Sequence, residues 1–162
     1  MRALVFVVCA GCGVADFDVT QKIPQQEIPG SPLPGPLATL FQVPLDIDIS
    51  QQIKQQDTGP ISSVSLKSLS LTIRSGGPDW SFVDEIDVFV SSTKQGSALP
   101  KVKVAHTTSP GKVTTIHFSI EPGVNLQPYI DEGSQVDGQS SGNAPAMTTD
   151  YDGVGVFTVH PV

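Results

Sequence analysis

The sequence has only two cysteines, Cys9 and Cys12, and both lie near its start. No disulfide can join distant parts of the chain, so a hydrophobic core has to hold the fold together, and a chain of this length can bury one. Charged residues make up 15% of the chain, and nine basic residues stand against 16 acidic ones. This acidic balance argues against nucleic acid as a partner, because phosphates repel an acidic surface.

Signatures of catalytic sites are scarce as well. No serine in a G-x-S-x-G nucleophile elbow and no glycine-rich phosphate loop before a helix is predicted. His106, His117 and His160 have strand-like spacing without an HxH or HxxxH pair, so no zinc site is predicted. We therefore expect a protein that is not an enzyme and has no cofactor. The alternative is an enzyme, or an enzyme subunit, whose site is assembled from loops.

The first residues have the layout of a secretory signal, with Arg2, a short apolar run over residues 3–8 and small residues before Cys12. The apolar run cannot span a bilayer, which takes about 20 apolar residues. An alternative interpretation is a buried N-terminal strand over residues 4–8, in which the two thiols behave as small hydrophobic side chains.

The run Cys9-Ala10-Gly11-Cys12 resembles the lipobox of bacterial lipoprotein precursors, in which two small residues precede the cysteine that receives the lipid. The resemblance implies a signal peptide over residues 1–11 and a lipid attached to Cys12. It also implies membrane anchoring in the bacterial cell envelope, with the periplasmic side of the outer membrane as the favoured location. The mature chain would then be one domain over residues 12–162.

Beyond the signal, apolar and polar residues alternate with the period of two that is typical of half-buried strands. Seven strands are predicted, over residues 16–20, 41–49, 62–75, 84–91, 101–106, 112–120 and 153–160. Short helical turns are expected near residues 50–56, behind a Ser50 cap, and near residues 124–130. Short strands with frequent Gly and Pro breaks predict an all-β fold, an antiparallel two-sheet sandwich of immunoglobulin-like architecture.

One predicted strand changes phase partway along its length. Val64 and Leu66 lie on one parity, whereas Leu69, Leu71 and Ile73 lie on the other. A continuous pleat would turn one of these sets into solvent. The sequence therefore predicts a β-bulge near Lys67 and Ser68, or a strand that crosses from one sheet to the other.

Three segments are predicted to connect strands. Residues 21–36 contain five prolines, which predict an extended tether or surface connection outside any sheet interior. Pro29 and Pro32 satisfy a weak PxxP pattern. Residues 109–111 predict a hairpin turn, and residues 133–145, rich in Gly, Ser, Gln and Asn, predict a long loop.

A few residues are candidates for a binding site. Trp80, the only tryptophan, is interpreted either as an exposed platform for a ligand or as a plug at one end of the core. Asp150 and Asp152 form a carboxylate pair before a glycine, and Asp131, Glu132 and Asp137 lie in the same acidic region. Calcium favours loop oxygens, but the ligand spacing of a calcium motif is absent, so solvated acids are the preferred interpretation. Lys101 and Lys103 are expected on a solvent face or a sheet edge.

These features favour a non-enzymatic, membrane-anchored lipoprotein that acts as a binding or scaffolding module. Its expected partners are the membrane, through lipidated Cys12, and an envelope protein or glycan. A large apolar groove between the sheets would instead favour a carrier of a hydrophobic ligand.

Overall fold

Two antiparallel β-sheets form the protein. The computed structural model describes residues 15–36 and 49–162. Its elements, in chain order, are β1 (Phe17–Ile28), α1 (Ser50–Gln55), β2 (Ile61–Ser75), β3 (Val83–Ser92), β4 (Val102–Thr108), β5 (Thr115–His117), β6 (Ser119–Ile120), α2 (Gln127–Glu132), β7 (Ser134–Gly142) and β8 (Thr149–Pro161). The strand order is β1-β8-β2-β5 in sheet 1 and β6-β4-β3-β7 in sheet 2. This confirms the predicted antiparallel two-sheet sandwich. The lipobox-like run and residues 41–48 of a predicted strand lie outside the described residues.

The core lies between the two sheets and is built by alternate residues of their central strands. Leu71 of β2 and Phe157 of β8 face inward from sheet 1, and Ile86 and Val88 of β3 face them from sheet 2; all four are fully buried. One continuous cluster of buried side chains includes residues of both sheets. The space between the sheets is thus filled by side chains.

The predicted phase change in β2 is a β-bulge. Leu66 pairs with Phe157 and Ser68 pairs with the preceding Val156, so Lys67 is the extra residue. Because the bulge absorbs one residue, apolar side chains on both sides of it face the core. The bulge is confirmed, and β2 stays in sheet 1 along its whole length, so the alternative of a strand that crosses between sheets is wrong.

Residues 21–28 are part of β1, so the prediction of a tether over residues 21–36 is wrong for this half. The register of β1 against β8 shifts between Ile23 and Gln26, where Pro24 lies. Proline has no backbone N–H to donate to a neighbouring strand. It is tolerated here because β1 is the edge strand of sheet 1 and because the register shift leaves this position without a regular hydrogen bond to β8. Ile23 and Ile28 reach the core from this strand.

The long loop predicted over residues 133–145 is also wrong, because β7 occupies most of it. β7 pairs with β3 over nearly the full length of both strands, from Val83 opposite Gly142 to Ser92 opposite Ser134. Val136 is the only apolar side chain in β7, and it packs against the core. The strand is held by its backbone pairing, which composition does not reveal.

The predicted strand over residues 112–120 is divided between the two sheets. β5 pairs with β2 in sheet 1, whereas β6 pairs with β4 in sheet 2, and buried Phe118 lies between them. The turn at residues 109–111 therefore leads from β4 into the opposite sheet. The predicted hairpin is wrong in that the strand next to β4 is β6, which follows β5.

Two smaller expectations concern β4 and the helices. A register shift between Val88 and Phe89 of β3 leaves both Val104 and Ala105 buried. His106 has the same parity as Val102 and Val104, but this shift turns it away from the buried face. The two short helices are confirmed as α1 and α2, but the N-cap of α1 is Ile49, without a side-chain cap bond. No helix within the described ranges is long and apolar enough to cross a membrane.

Candidate functional site

Trp80 is a core residue. Its ring is fully buried, its Nε1–H donates to the carbonyl oxygen of Thr114 at 2.9 Å, and it packs against the rings of Phe82 and Tyr151, each at 5.7 Å between centroids. The same burial raises the pKa of the Tyr151 hydroxyl. The interpretation as a core plug is confirmed, and an exposed platform at Trp80 is ruled out.

The acidic candidates are distributed over separate hydrogen-bond networks. Asp150 accepts a hydrogen bond from Ser75, and Asp152 forms an ion pair with Arg74 at 2.8 Å between Nε and Oδ2, which raises the pKa of the guanidinium. Both acids lie on β8, where they bind residues of β2. Within residues 15–36 and 49–162, no group of three or more His, Cys, Asp or Glu is placed to hold a metal ion.

The remaining acids of that region lie elsewhere and have their own partners. Asp131 accepts from the side chain of Gln127, and Asp137 binds Lys101 at 3.1 Å. Glu132 accepts hydrogen bonds from two serines, and these hold the pKa of its carboxyl below the ordinary range. Each of these acids thus has a polar partner of its own within the protein.

The histidines are also placed apart. His106 contacts Glu121 and His160 contacts Asp16, each at 2.9 Å from Nδ1, while His117 is exposed. These two pairs lie at the surface, on strands of different sheets. The arrangement does not bring two histidines to one site.

The prediction that no serine lies in a G-x-S-x-G pattern is wrong for Ser140. Residues 138–142 read G-x-S-x-G, the letters of a nucleophile elbow, with Ser140 at the centre. The structure places them in β7, where Ser140 lies opposite Ile86 in a regular ladder. The buried Ser140 hydroxyl has no hydrogen-bond partner within the described residues, so it has no base there to activate it.

Lys101 and Lys103 lie on the outer face of sheet 2, as expected for a solvent face. Their ammonium groups stand over the ring of Phe89, at 5.1 and 5.7 Å from its centroid. Lys103 also binds Asp87 at 2.8 Å, and this contact raises the pKa of its ammonium group. The face is a network of paired charges around one aromatic ring.

A groove beside β2 is a better candidate for a binding surface than the acidic residues, the histidines or the lysine face described above. We call it the β2 groove; it has a volume of about 540 Å³ and is open to solvent. It is lined by Ser63, Val64, Ser65, Leu66 and Lys67 of β2 and by Ile120, Glu121, Pro122, Gly123, Val124 and Asn125 after β6. This volume lies within the usual range of ligand pockets, about 300–1,000 Å³.

The groove results from the change of sheet at Phe118. β5 pairs with β2 only over residues 70–72, and the chain then leaves for sheet 2. The first half of β2 therefore has no neighbouring strand on this side within the described part of the chain. Leu126 closes the far end by donating its N–H to the carbonyl of Val64 at 2.7 Å.

Asn125 at the rim of the β2 groove has a fixed orientation. Its Oδ1 accepts from the backbone N–H of Val64 at 3.1 Å and from that of Gln127 at 3.0 Å. Because the oxygen is held by two donors, the orientation of the amide Nδ2 is set as well. Asn125 was not predicted as a site residue, and only the turn residues Pro122 and Gly123 indicate an irregular segment there.

A smaller cleft of about 240 Å³ lies at the opposite end of the sandwich. Its lining includes Pro78, Phe82, Pro145 and Met147. Met147 is 58% exposed. The cleft is more apolar than the β2 groove but offers few polar groups that would orient a ligand.

Comparisons with known proteins add little to this description. No protein-family model matches the chain, and no curated protein matches it either. Among solved structures, a chain of turnip yellow mosaic virus is similar, with 14% sequence identity, a TM-score of 0.25, and coverage of 100% of this chain and 90% of that chain. A likeness at this TM-score supports no conclusion about function.

Proposed function

We propose that this chain is a non-enzymatic lipoprotein of the bacterial cell envelope, anchored through Cys12 and acting as a binding or scaffolding module. The observation that carries the proposal is the lipobox-like run Cys9-Ala10-Gly11-Cys12, five residues before the first strand of a β-sandwich begins at Phe17. A lipid on Cys12 would hold the sandwich at the periplasmic face of a membrane, with the outer membrane favoured.

A binding role is supported by the way the described polar groups are used. Asp152, Glu132 and His106 each hold a structural partner, and they lie on separate elements. The β2 groove, in contrast, is open and lined by both polar and apolar groups. A binding surface without a catalytic constellation is what a scaffolding module requires.

Membrane partition of the expressed precursor tests the anchor. We expect the wild-type chain in the membrane fraction of a bacterial host, and Cys12→Ser in the soluble fraction, because the serine hydroxyl cannot carry the thioether-linked lipid. Cys9→Leu is the matched control: it places the usual lipobox residue three positions before Cys12 and should leave the protein in the membrane. Membrane partition of Cys12→Ser at the wild-type level would contradict the proposal.

A further inference from the structure

We infer that the β2 groove binds an extended peptide, whose backbone pairs with Leu66 and contacts the side-chain amide of Asn125. This inference rests on the proposed role as a binding module and names the class of its ligand. It assigns the groove to a protein partner that offers an unstructured segment or a chain end.

The first argument is the direction of the β2 backbone. The N–H and C=O groups of Val64 point toward the groove side, where they bind Asn125 and Leu126. Residues two apart in a strand direct their backbone groups to the same side, so those of Leu66 also point into the groove. Within the described residues, no segment pairs with Leu66 on that side. Leu66 thus presents one free donor and one free acceptor of a strand edge.

The second argument is that the opening has the length of a short peptide. It is limited at one end by the contact between Val64 and Leu126, and at the other by the N–H of Phe118, which donates to the carbonyl of Leu69 at 3.0 Å. Val64 and Leu69 are five positions apart, about 16 Å in an extended strand. Two or three residues of an extended ligand fit between these contacts, beside the bulge at Lys67.

The third argument is the Asn125 amide at the rim of the groove, beside Val64. Its oxygen is already used by two backbone donors, and its Nδ2 has no hydrogen-bond partner in the part of the chain that the structure describes. This group is a pre-oriented donor in the groove lining, next to the Val64 end of the β2 edge. A peptide carbonyl is a fitting acceptor for it, and Leu66 supplies the complementary backbone groups of β2.

The lining also selects against other ligands. None of the residues that line the β2 groove is aromatic, so it lacks the stacking surface on which sugar rings usually lie. Its two charged residues, Lys67 and Glu121, are of opposite sign and bind Asp18 and His106. The groove therefore has no excess charge for an anion, while Ile120 and Val124 provide apolar contacts for alternate side chains of a peptide.

Selection from a phage-displayed library of random 12-residue peptides, on the immobilised full-length chain, tests the inference. We expect enriched peptides to bind in solution, and single N-methylation along such a peptide to weaken binding about tenfold or more at one nitrogen only, the one that donates to the carbonyl of Leu66. The two adjacent nitrogens of an extended peptide face away from β2, so methylation there should be tolerated. No enrichment, or equal sensitivity at adjacent nitrogens, would overturn the inference.

Two pairs of variants place the peptide in the β2 groove. Asn125→Asp keeps an oxygen for Val64 and Gln127 but replaces the Nδ2 donor by a carboxylate oxygen, and it should weaken binding about tenfold or more. Asn143→Asp, at an exposed asparagine outside the groove, should have no effect. Equal affinity of the two variants would overturn the assignment.

The second pair adds bulk at the rim. Gly123 and Gly59 both have φ of +75° and open space where a Cβ would lie, but only Gly123 lines the groove. Asparagine tolerates this conformation better than other side chains. Gly123→Asn should weaken peptide binding, whereas Gly59→Asn should not, and equal unfolding midpoints would show that both variants fold.

The selection needs no membrane, so its outcome is separate from that of the anchor. If Cys12→Ser releases the protein from the membrane but no peptide binds in the groove, the lipoprotein proposal stands and the peptide inference fails. If peptides bind in the groove but Cys12→Ser stays in the membrane fraction, the peptide site stands and the proposed anchor fails.

Discussion

At the scale of single residues, Glu132 shows how the titratable groups of this chain stabilise local structure. One carboxylate oxygen accepts from the hydroxyls of Ser97 and Ser92, and the other lies 3.4 Å from the ammonium of Lys94. These three residues belong to the end of β3 and the connection to β4, whereas Glu132 ends α2. The hydrogen bonds from Ser97 and Ser92 are the main cause of the lowered pKa of Glu132.

This lowered pKa predicts an acid-dependent loss of stability. The ordinary carboxyl pKa is 4.5, and the folded protein keeps Glu132 ionised to lower pH. Its contribution is fully present above about pH 4.5 and is lost as pH falls through the folded pKa. Glu132→Gln should therefore lower the melting temperature at pH 7 and reduce its further fall between about pH 5 and pH 3.

Circular dichroism melts over this pH range measure the effect. Glu27→Gln is the matched control, because Glu27 is exposed and makes no side-chain hydrogen bond within the described ranges. If both variants show the wild-type pH dependence, the hydrogen bonds to Glu132 do not contribute as expected.

At the scale of the elements, the bulge in β2 is the feature with the largest predicted effect. Deletion of Lys67 would remove the extra residue and turn Val64 and Leu66 toward solvent, since one residue of register reverses every side chain. Burial of each such side chain is worth about 1.5–3 kcal/mol. The loss of both, about 3–6 kcal/mol, is a large part of a typical unfolding free energy of about 5–15 kcal/mol.

Urea unfolding of the deletion variant tests this expectation. Deletion of Gly96, which lies in an exposed turn between β3 and β4 with open space around it, is the control and should lower stability far less. A Lys67 deletion variant as stable as the Gly96 deletion variant would show that the bulge is not required to keep both halves of β2 buried.

The sequence predicts the elements in which apolar side chains alternate and misses those held by backbone bonds. β2, β3 and β8 are recognisable because their apolar residues repeat with the period of a strand, and the phase change in β2 even locates the bulge. β7 is missed because Val136 is its only apolar residue. The first strand is predicted too short because Pro24 lies in it, and an edge position with an irregular register tolerates that proline.

The candidate site could be predicted less well than the fold. Ile116, Phe118 and Ile120 keep one parity while the chain passes from sheet 1 to sheet 2, and periodicity does not report which sheet a residue joins. The β2 groove follows from that change of sheet. Likewise, the sequence around Trp80 left both burial and exposure open, because only the packing of Phe82 and Tyr151 decides between them.

At the scale of the whole molecule, the two sheets share one core, and this predicts a single unfolding transition. Trp80 packs against Tyr151 of sheet 1 and against Phe82, next to the first strand-paired residues of sheet 2, so its fluorescence reports on both sheets. We expect tryptophan fluorescence and far-ultraviolet circular dichroism to give the same midpoint in urea. Two separate midpoints would mean that the sheets unfold independently and that the chain is not one cooperative domain.

The pairing of Phe17 with Val159, and of Val159 with Val64, places the start of β1 and the β2 groove at the same end of the sandwich. From Cys12 to Phe17 the chain can extend at most about 17 Å. If Cys12 carries the lipid, this short connection would hold the groove end of the sandwich near the lipid headgroups, with the Met147 cleft at the end that faces away from them. A folded partner would have little clearance there, whereas a thin, extended segment could still enter from the side.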